Sequence, residues 1–519
     1  MDTKQIDLVK NIIYLFSFIS LIIQLIIFKN NNDLFCILII FFSNILTTYY
    51  CFNKKYFFEH PITLLMIFIS HFINLGGALF FKSLEFSLIT KKLELPLSTI
   101  LLLSIFNFTI ILSHRLYRNL NLPMKTNIIK KYLKKYDFYT VKDIKFLYLL
   151  SFIAIISNLF FFDLNTSLSI QGSFGYETGI LKDITNGFVY LLFMPIVILF
   201  YKSLYEVNTI HKTKIFFIIS FLFIIFISLS RNNRSILFDF FLLTIFVLLI
   251  LILFNKIDFK RNLFIKIILI PAIVIPSFNF IETLSNRFLN ERLTYLERTP
   301  LENVKMFLGN ALKKNDDTLY LEKKFLRNQT FFAENYYSTT LFNRANLLLI
   351  HDNFNYINKN ISDNKLDNLK NIQVGKIISI LPQPFINIFN NNFDKNKFIH
   401  FTTASYLYGY VDYGGGSLSI GSALMTLYII VGQWIYIFLF LFFIPVFIFF
   451  DSFYDRKTMV ISPYIIIFFY ITSGGILNFI SASDINIWLT FIFRTIPQTF
   501  IFIIILRFIY NFFLKKNNF

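Results

Sequence analysis

Ile12–Phe28 reads IIYLFSFISLIIQLIIF, the short polar turn KNNND follows at 29–33, and Leu34–Cys51 reads LFCILIIFFSNILTTYYC. Each apolar run is uncharged and long enough, at about 1.5 Å per helical residue, to cross roughly 30 Å of hydrocarbon. The pair therefore reads as two membrane-spanning helices joined by a tight polar turn. No small-residue cleavage site follows the first run, so a cleaved signal peptide is not expected.

The same pattern recurs along the chain. Spans are expected at about 11–28, 33–52, 61–81, 97–114, 144–162, 186–201, 214–230, 235–254, 263–281, 418–450, 460–480 and 487–509. The stretch 418–450 is too long for one simple span, and it is expected to tilt, to break near Gly432 or to begin above the membrane. The fold class is all-α, a polytopic transmembrane bundle of about twelve helices with one large, partly helical extracytoplasmic loop. Residues 1–281 carry helices one to nine, 282–417 the loop, and 418–519 the last three helices.

Composition agrees with a membrane class. The chain of 519 residues is 56% apolar and only 15% charged, against about 25% charged in soluble domains. The net charge of +19 gathers in particular loops, above all at Lys125, Lys130, Lys131, Lys134, Lys135 and Lys142 in the 115–145 segment. Lys and Arg mark cytoplasmic loops. Lys54 and Lys55, Lys212 and Lys214, Lys256, Lys260 and Arg261, Arg456 and Lys457, and Lys515 and Lys516 then fall on the same side. Lys29, Lys82, Lys91, Lys92 and Lys182 are the fewer basic residues of the opposite loops. Both termini are expected in the cytoplasm. No nucleic-acid module accompanies the basic residues; the partner they suit is the anionic lipid surface. Cys36 and Cys51 share one expected helix about 22 Å apart, beyond disulfide reach.

The loop at 282–417 is Asn-rich and mixed in charge, with helix-compatible stretches near 281–314 and 336–350. Asn353–Asn371 reads as a flexible excursion. The chemistry-bearing residues lie at or near this face. Arg231 and Arg234 occupy the short turn ISLSRNNRSILFDF, where planar guanidinium forks suit a phosphate or pyrophosphate; interface snorkelling or pairing with Asp239 is the structural alternative. Arg494, in IWLTFIFRTIPQTF, lies about 10 Å along the last helix, where an arginine is costly unless it faces the interior or a wet cavity. Arg287, Arg292 and Arg298, interleaved with Glu291 and Glu297, fit a solvated salt-bridged face as well as a ligand site. Arg344 and His351 fall in NRANLLLIHDNF. His400, near the membrane return, suits a general base toward a sugar hydroxyl. His71 and Asn74 read as core residues. Gly414–Gly416 allow a sharp turn at re-entry. No zinc spacing, P-loop or dinucleotide fingerprint occurs, and Asp163, Glu177 and Asp183 are scattered rather than clustered as a metal site.

Two segments carry a resemblance. The turn RNNRS (231–235) lies between central helices, and the loop return runs from ILPQPF, with Pro382 and Pro384, through a Thr-rich stretch to GGGSLSIGSALMTLYIIVGQW (414–434). Together with the topology they resemble the bacterial polysaccharide repeat-unit polymerases, the O-antigen polymerase (Wzy) type. The resemblance implies an inner-membrane glycosyltransferase that transfers a growing glycan from an undecaprenyl-pyrophosphate carrier onto a lipid-linked repeat unit on the outer face. The product would be O-antigen, capsule or exopolysaccharide. It further implies no cofactor and no metal, with arginines offsetting the pyrophosphate charge, and a chain-length regulator as a possible partner. Departures are Gln383 and Phe385 where related sequences often read Pro-Arg beside a Trp-Pro-Lys-Pro stretch, and no Glu near Leu424 and Met425. An O-antigen ligase is the alternative, but Phe401 and Val411 depart from the ligase pattern after His400. A flippase for lipid-linked oligosaccharide fits the helix number but not a structured outer loop of this size.

Overall fold

The computed structural model describes residues 3–120, 128–136, 138–139, 144–161, 189–205, 210–230, 235–254, 336–337, 342, 346–381, 383–389, 393–394, 398, 403–407, 421–469 and 485–516. The expected span at 263–281 and the helical stretch at 281–314 lie outside them.

The chain begins with α1 (Thr3–Ile27) and α2 (Asn31–Cys51), then a short α3 (Lys54–Glu59). Next comes one long span in three parts: α4 (Pro61–His71), a π-helical turn (Phe72–Gly76) and α5 (Gly77–Leu84). It is followed by α6 (Pro96–Asn119), α7 (Ile128–Lys135), α8 (Ile144–Phe161), α9 (Met194–Tyr205), α10 (Ile210–Ser230) and α11 (Ser235–Leu253). The insertion contributes α12 (Leu348–Asn360), α13 (Asp363–Ile378), α14 (Gln383–Phe389) and α15 (Thr403–Leu407). The remainder is α16 (Ala423–Val431), α17 (Ile435–Asp451), a two-stranded hairpin of β1 (Tyr454–Asp455) and β2 (Val460–Ile461), α18 (Ile465–Phe469), α19 (Ile485–Thr490), a second π turn (Phe491–Thr495) and α20 (Ile496–Lys516).

Six of these stretches are long and apolar enough to cross a membrane: Lys4–Ile27, Asn31–Cys51, Pro61–Leu84, Pro96–Asn119, Ala423–Asp451 and Ile485–Phe512. Three shorter apolar helices, Ile144–Ser157, Leu191–Tyr205 and Ile218–Ile227, pack with them. The chain is thus a largely helical membrane protein. Cys36 and Cys51 are both buried thiols on α2, as their spacing requires.

Local chemistry fixes the helix ends. Asn30 caps α2 by accepting the Asp33 amide at 2.8 Å, and Asp33 in turn accepts from Thr90 Oγ1 at 2.5 Å. Gln24 uses both ends of its amide on the 83–89 turn, donating to Ser87 O at 2.9 Å and accepting from Ile89 N at 3.2 Å. The long run at 423–451 does break at Gly432, which adopts a φ of +58° that favours glycine. Pro445 removes one backbone bond within α17, and Ser113 Oγ on α6 donates to the nearby carbonyl of Phe440 at 2.6 Å.

Two expectations need correction. Asn353–Asn371 is not a flexible excursion: it forms most of α12 and half of α13, and Leu348–Asn355 is buried throughout. Intrinsic propensity is poor there, and tertiary burial overrides it. Lys82 is not a loop residue. It sits on the last turns of α5, buried, 4.0 Å from the Tyr336 ring centroid and donating to the Tyr336 carbonyl. Of the stretch expected to be helical at 336–350, α12 covers the part from Leu348 and Phe342 is helical, while 338–341 and 343–345 lie outside the described residues.

The bundle has two distinguishable ends. The insertion end carries α12 and α13 against the starts of α6, α16 and α19. The basic end carries α7 and the hairpin, where Lys130 and Lys134 both reach Asp455, at 3.0 and 2.9 Å.

Candidate functional site

A π turn closes i→i+5 bonds and is frequent at functional sites. In the span at 61–84, the π turn leaves carbonyls that the insertion uses. Ile73 O accepts from Leu347 N at 2.9 Å and from Asn346 Nδ2 at 3.0 Å, and Phe72 O also lies 3.3 Å from Asn346 Nδ2. The Asn346 side-chain oxygen accepts from Leu348 N and from Tyr337 OH. One asparagine thereby starts α12 and docks it inside the bundle.

One turn on, His351 is enclosed between α12, the π turn and α16. Its Nε2 lies 2.9 Å from Asn74 Oδ1 and its Nδ1 2.7 Å from Ser422 Oγ. Asn74 Nδ2 donates to Ser70 O at 2.9 Å, which fixes the amide orientation and makes Oδ1 the acceptor. His351 therefore carries its proton on Nε2, and Nδ1 accepts the Ser422 hydroxyl, whose oxygen also caps α16 through Met425 N. Burial pushes the His351 imidazole down to about 3, so it is neutral at physiological pH. Asp352 points the other way. Its carboxylate accepts from Leu95 N at 3.1 Å, from Glu94 N and from Thr99 Oγ1 at 2.7 Å. Leu95, the N-cap residue of α6, has no side chain able to cap, and a carboxylate from the insertion takes that role at the positive helix end.

Around this core are more polar groups, neutral except for Lys376. His71 Nε2 donates to Asn44 Oδ1 at 2.6 Å, and Asn355 Nδ2 donates to Thr99 Oγ1 at 2.9 Å. Lys376 Nζ donates to Thr403 Oγ1 at 3.1 Å. His71 Nδ1, Asn353 Nδ2 and Thr426 Oγ1 are among the buried atoms that have no protein partner in the described residues. Amides, hydroxyls and neutral imidazoles, some still unpaired, suit a neutral polyhydroxylated ligand better than a charged one.

Of the six site residues expected from sequence, Arg494 alone is described. It lies in the second π turn, on an exposed face. That turn begins one helical stretch after α19, which packs on α13 and α16, so both π turns belong to the insertion half. Arg231, Arg234, Arg287, Arg344 and His400 lie outside the described residues.

No family model, curated protein or solved structure matches the chain.

The basic end holds a second polar cluster, centred on Asp451, which directly follows the expected span 418–450. The Asp451 carboxylate accepts from His60 Nδ1, from Tyr117 OH at 2.9 Å and from Thr63 Oγ1 at 3.0 Å. Thr63 Oγ1 accepts from His114 Nε2 at 3.0 Å, and His114 Nδ1 accepts from Tyr50 OH at 2.8 Å. Arg456 donates to His60 Nε2 at 2.8 Å. Every donor in the chain is directed toward one buried carboxylate. The signals that could have found both clusters are the polar residues inside apolar runs: Asn74 in FINLGG, and Asp451 ending FLFLFFIPVFIFFD.

Proposed function

We propose that the chain is a glycosyltransferase of the cytoplasmic membrane that polymerises undecaprenyl-pyrophosphate-linked repeat units on the outer face. On this reading the chain has about twelve spans, the insertion end is extracytoplasmic, and both termini lie in the cytoplasm. The single observation that carries it is the docking of α12. A segment of a large polar insertion is built into an apolar bundle and brings amides, hydroxyls and a neutral imidazole with it. Polar groups in that setting are costly and mark substrate sites by default. A docked insertion also fits an enzyme better than a flippase, whose transport path must open through the bundle.

The roles divide by charge. Arg231, Arg234 and Arg494 hold the pyrophosphate, with Arg287 and Arg344 from the insertion as further contacts; guanidinium forks offset the charge that the departing group carries. The glycan lies along the neutral polar groups. His400 takes the acceptor hydroxyl proton, because His351 has both ring nitrogens engaged and burial makes its imidazole a weak base. The hydroxyl oxygen then attacks the anomeric carbon as the carbon–oxygen bond to pyrophosphate breaks.

The test is glycan chain length in cells carrying a deletion of the gene, complemented by variants at matched membrane abundance. The deletion is expected to accumulate single lipid-linked repeat units, and Arg234→Ala with Arg494→Ala to behave like it. Arg→Lys restores only part of the chain length, since the bidentate fork is lost. Long-chain glycan from the double variant at normal abundance overturns the reading.

A further inference from the structure

The two insertion helices α13 and α14 change character along their length. Up to Asn371 the exposed residues are polar: Asp363, Asn364, Asp367, Asn368 and Asn371, with Asp367 and Lys370 paired at 3.0 Å on the surface. Beyond it, as far as Ile388, the exposed residues described are apolar except Asn387. Val374 (55% exposed), Ile377, Leu381, Phe385 and Ile388 (73% exposed) recur at three- and four-residue intervals through both helices and the turn between them. The only charged residue from 374 to 389 is Lys376, and it is buried against Thr403. A helix lying in water has no reason to switch its exposed face from charged to apolar along its axis. One crossing a membrane surface does.

The apolar half is also continuous with the lipid-facing belt. α13 packs on α19, the start of the last span, on which Phe493 is strongly exposed, and on α16, which leads through Gly432 to the exposed Trp434. From Asn371 to the end of α13 the helix advances about 10 Å, the depth to which interfacial helices sink.

From this we infer that residues 374–388 dip into the acyl region of the leaflet on the insertion side, with the waterline between Lys370 and Val374. The inference rests on the chain being a membrane protein and not on its chemistry. Lys376, the one charge in this stretch, is kept from the lipid by its buried contact with Thr403.

The experiment uses the full chain in lipid nanodiscs, with single cysteines carrying nitroxide labels at Asn364→Cys, Asn371→Cys, Val374→Cys, Phe385→Cys and Ile388→Cys. Cys36 and Cys51 are buried and give a low background. Collision with oxygen relative to a water-soluble nickel chelate is expected to be low at 364 and 371 and to rise severalfold at 374, 385 and 388. Equal nickel access at all five positions overturns the inference. So does exclusion of both reagents at 374–388 with dipolar broadening between labels, which would mark a second copy of the chain in place of lipid. Lipids doxyl-labelled on the acyl chain broadening the 385 and 388 signals more than the 364 signal support it. No glycan substrate is involved, so the result stands apart from the polymerase reading.

Discussion

The two ends of the bundle solve the same problem, polar groups among apolar helices, in opposite ways. At the basic end the cluster is closed around a charge: His60, Thr63 and Tyr117 all donate to Asp451, and Arg456 stands behind His60. At the insertion end the groups around His351 are mostly neutral and incompletely paired: Asp352 is used to cap α6, His351 is locked between Asn74 and Ser422, and His71 Nδ1, Asn353 Nδ2 and Thr426 Oγ1 are left over. A saturated network of directed donors rigidifies four helices and a hairpin. An unsaturated neutral one leaves hydrogen-bonding capacity for a ligand. The difference separates an anchor from a site.

The largest expected effect of breaking this contrast is at the anchor. Asp451→Ala leaves three donors aimed at nothing and Arg456 without its balancing charge, a change that costs about 3–5 kcal/mol in buried pairs. Thermal unfolding in detergent is expected to show a drop of many degrees; a melting point within a degree of wild type contradicts the closed network. Next comes the π turn. A Cβ on Gly76 would fall 2.3 Å from Asn44 Oδ1 and 2.8 Å from His71 Nε2. Gly76→Ala is therefore expected to lose about 1–3 kcal/mol through overpacking and to loosen α12, read as faster amide exchange over 347–355. Unchanged exchange there removes the coupling between the π turn and the insertion.

Acid sharpens the comparison. His351 is held neutral by burial at about 3, below the roughly 6.5 of an unfolded histidine. Between those values the unfolded chain binds the extra proton, so stability falls as pH drops below about 6.5, by at most about 1.4 kcal/mol per unit. Asp455 behaves otherwise. Burial raises its carboxyl, but hydrogen bonds from Lys134 and Lys130 outweigh this and hold it at about 2. Its contribution is complete above the ordinary carboxylate range and is lost only as pH falls through about 2. Amide exchange at pH 5 against pH 7, corrected for intrinsic rates, is expected to rise around α12 and to stay level at the hairpin. In His351→Gln the α12 response is expected to shrink; an unchanged response assigns it to another group.

These features differ in how far the sequence carries them. Span positions follow from uncharged run lengths, so Asn31–Cys51, Pro96–Asn119 and the break at Gly432 were all legible. The π turn was not, because the donors that stabilise it, Asn346 and Leu347, come from residues some 270 positions away in sequence. The α12–α13 segment misled for a related reason: its asparagines are poor helix formers in isolation, and burial of α12 in the bundle, with Asn355 bonded to Thr99, overrides that preference. Histidine 351 was visible as a residue, but its enclosure was not. The arginine forks at 231 and 234 and His400 were legible by charge and position alone, and they rest on chemistry and topology rather than on geometry.

The most direct measurement is polymerisation by the purified chain in proteoliposomes supplied with one lipid-linked repeat unit. The account predicts a ladder of lengthened glycans on gels with release of undecaprenyl pyrophosphate, retained when divalent metal is chelated and lost in the double variant Arg234→Ala with Arg494→Ala. Single repeat units left intact by well-folded wild-type protein, or moved across the bilayer without being joined, would contradict it.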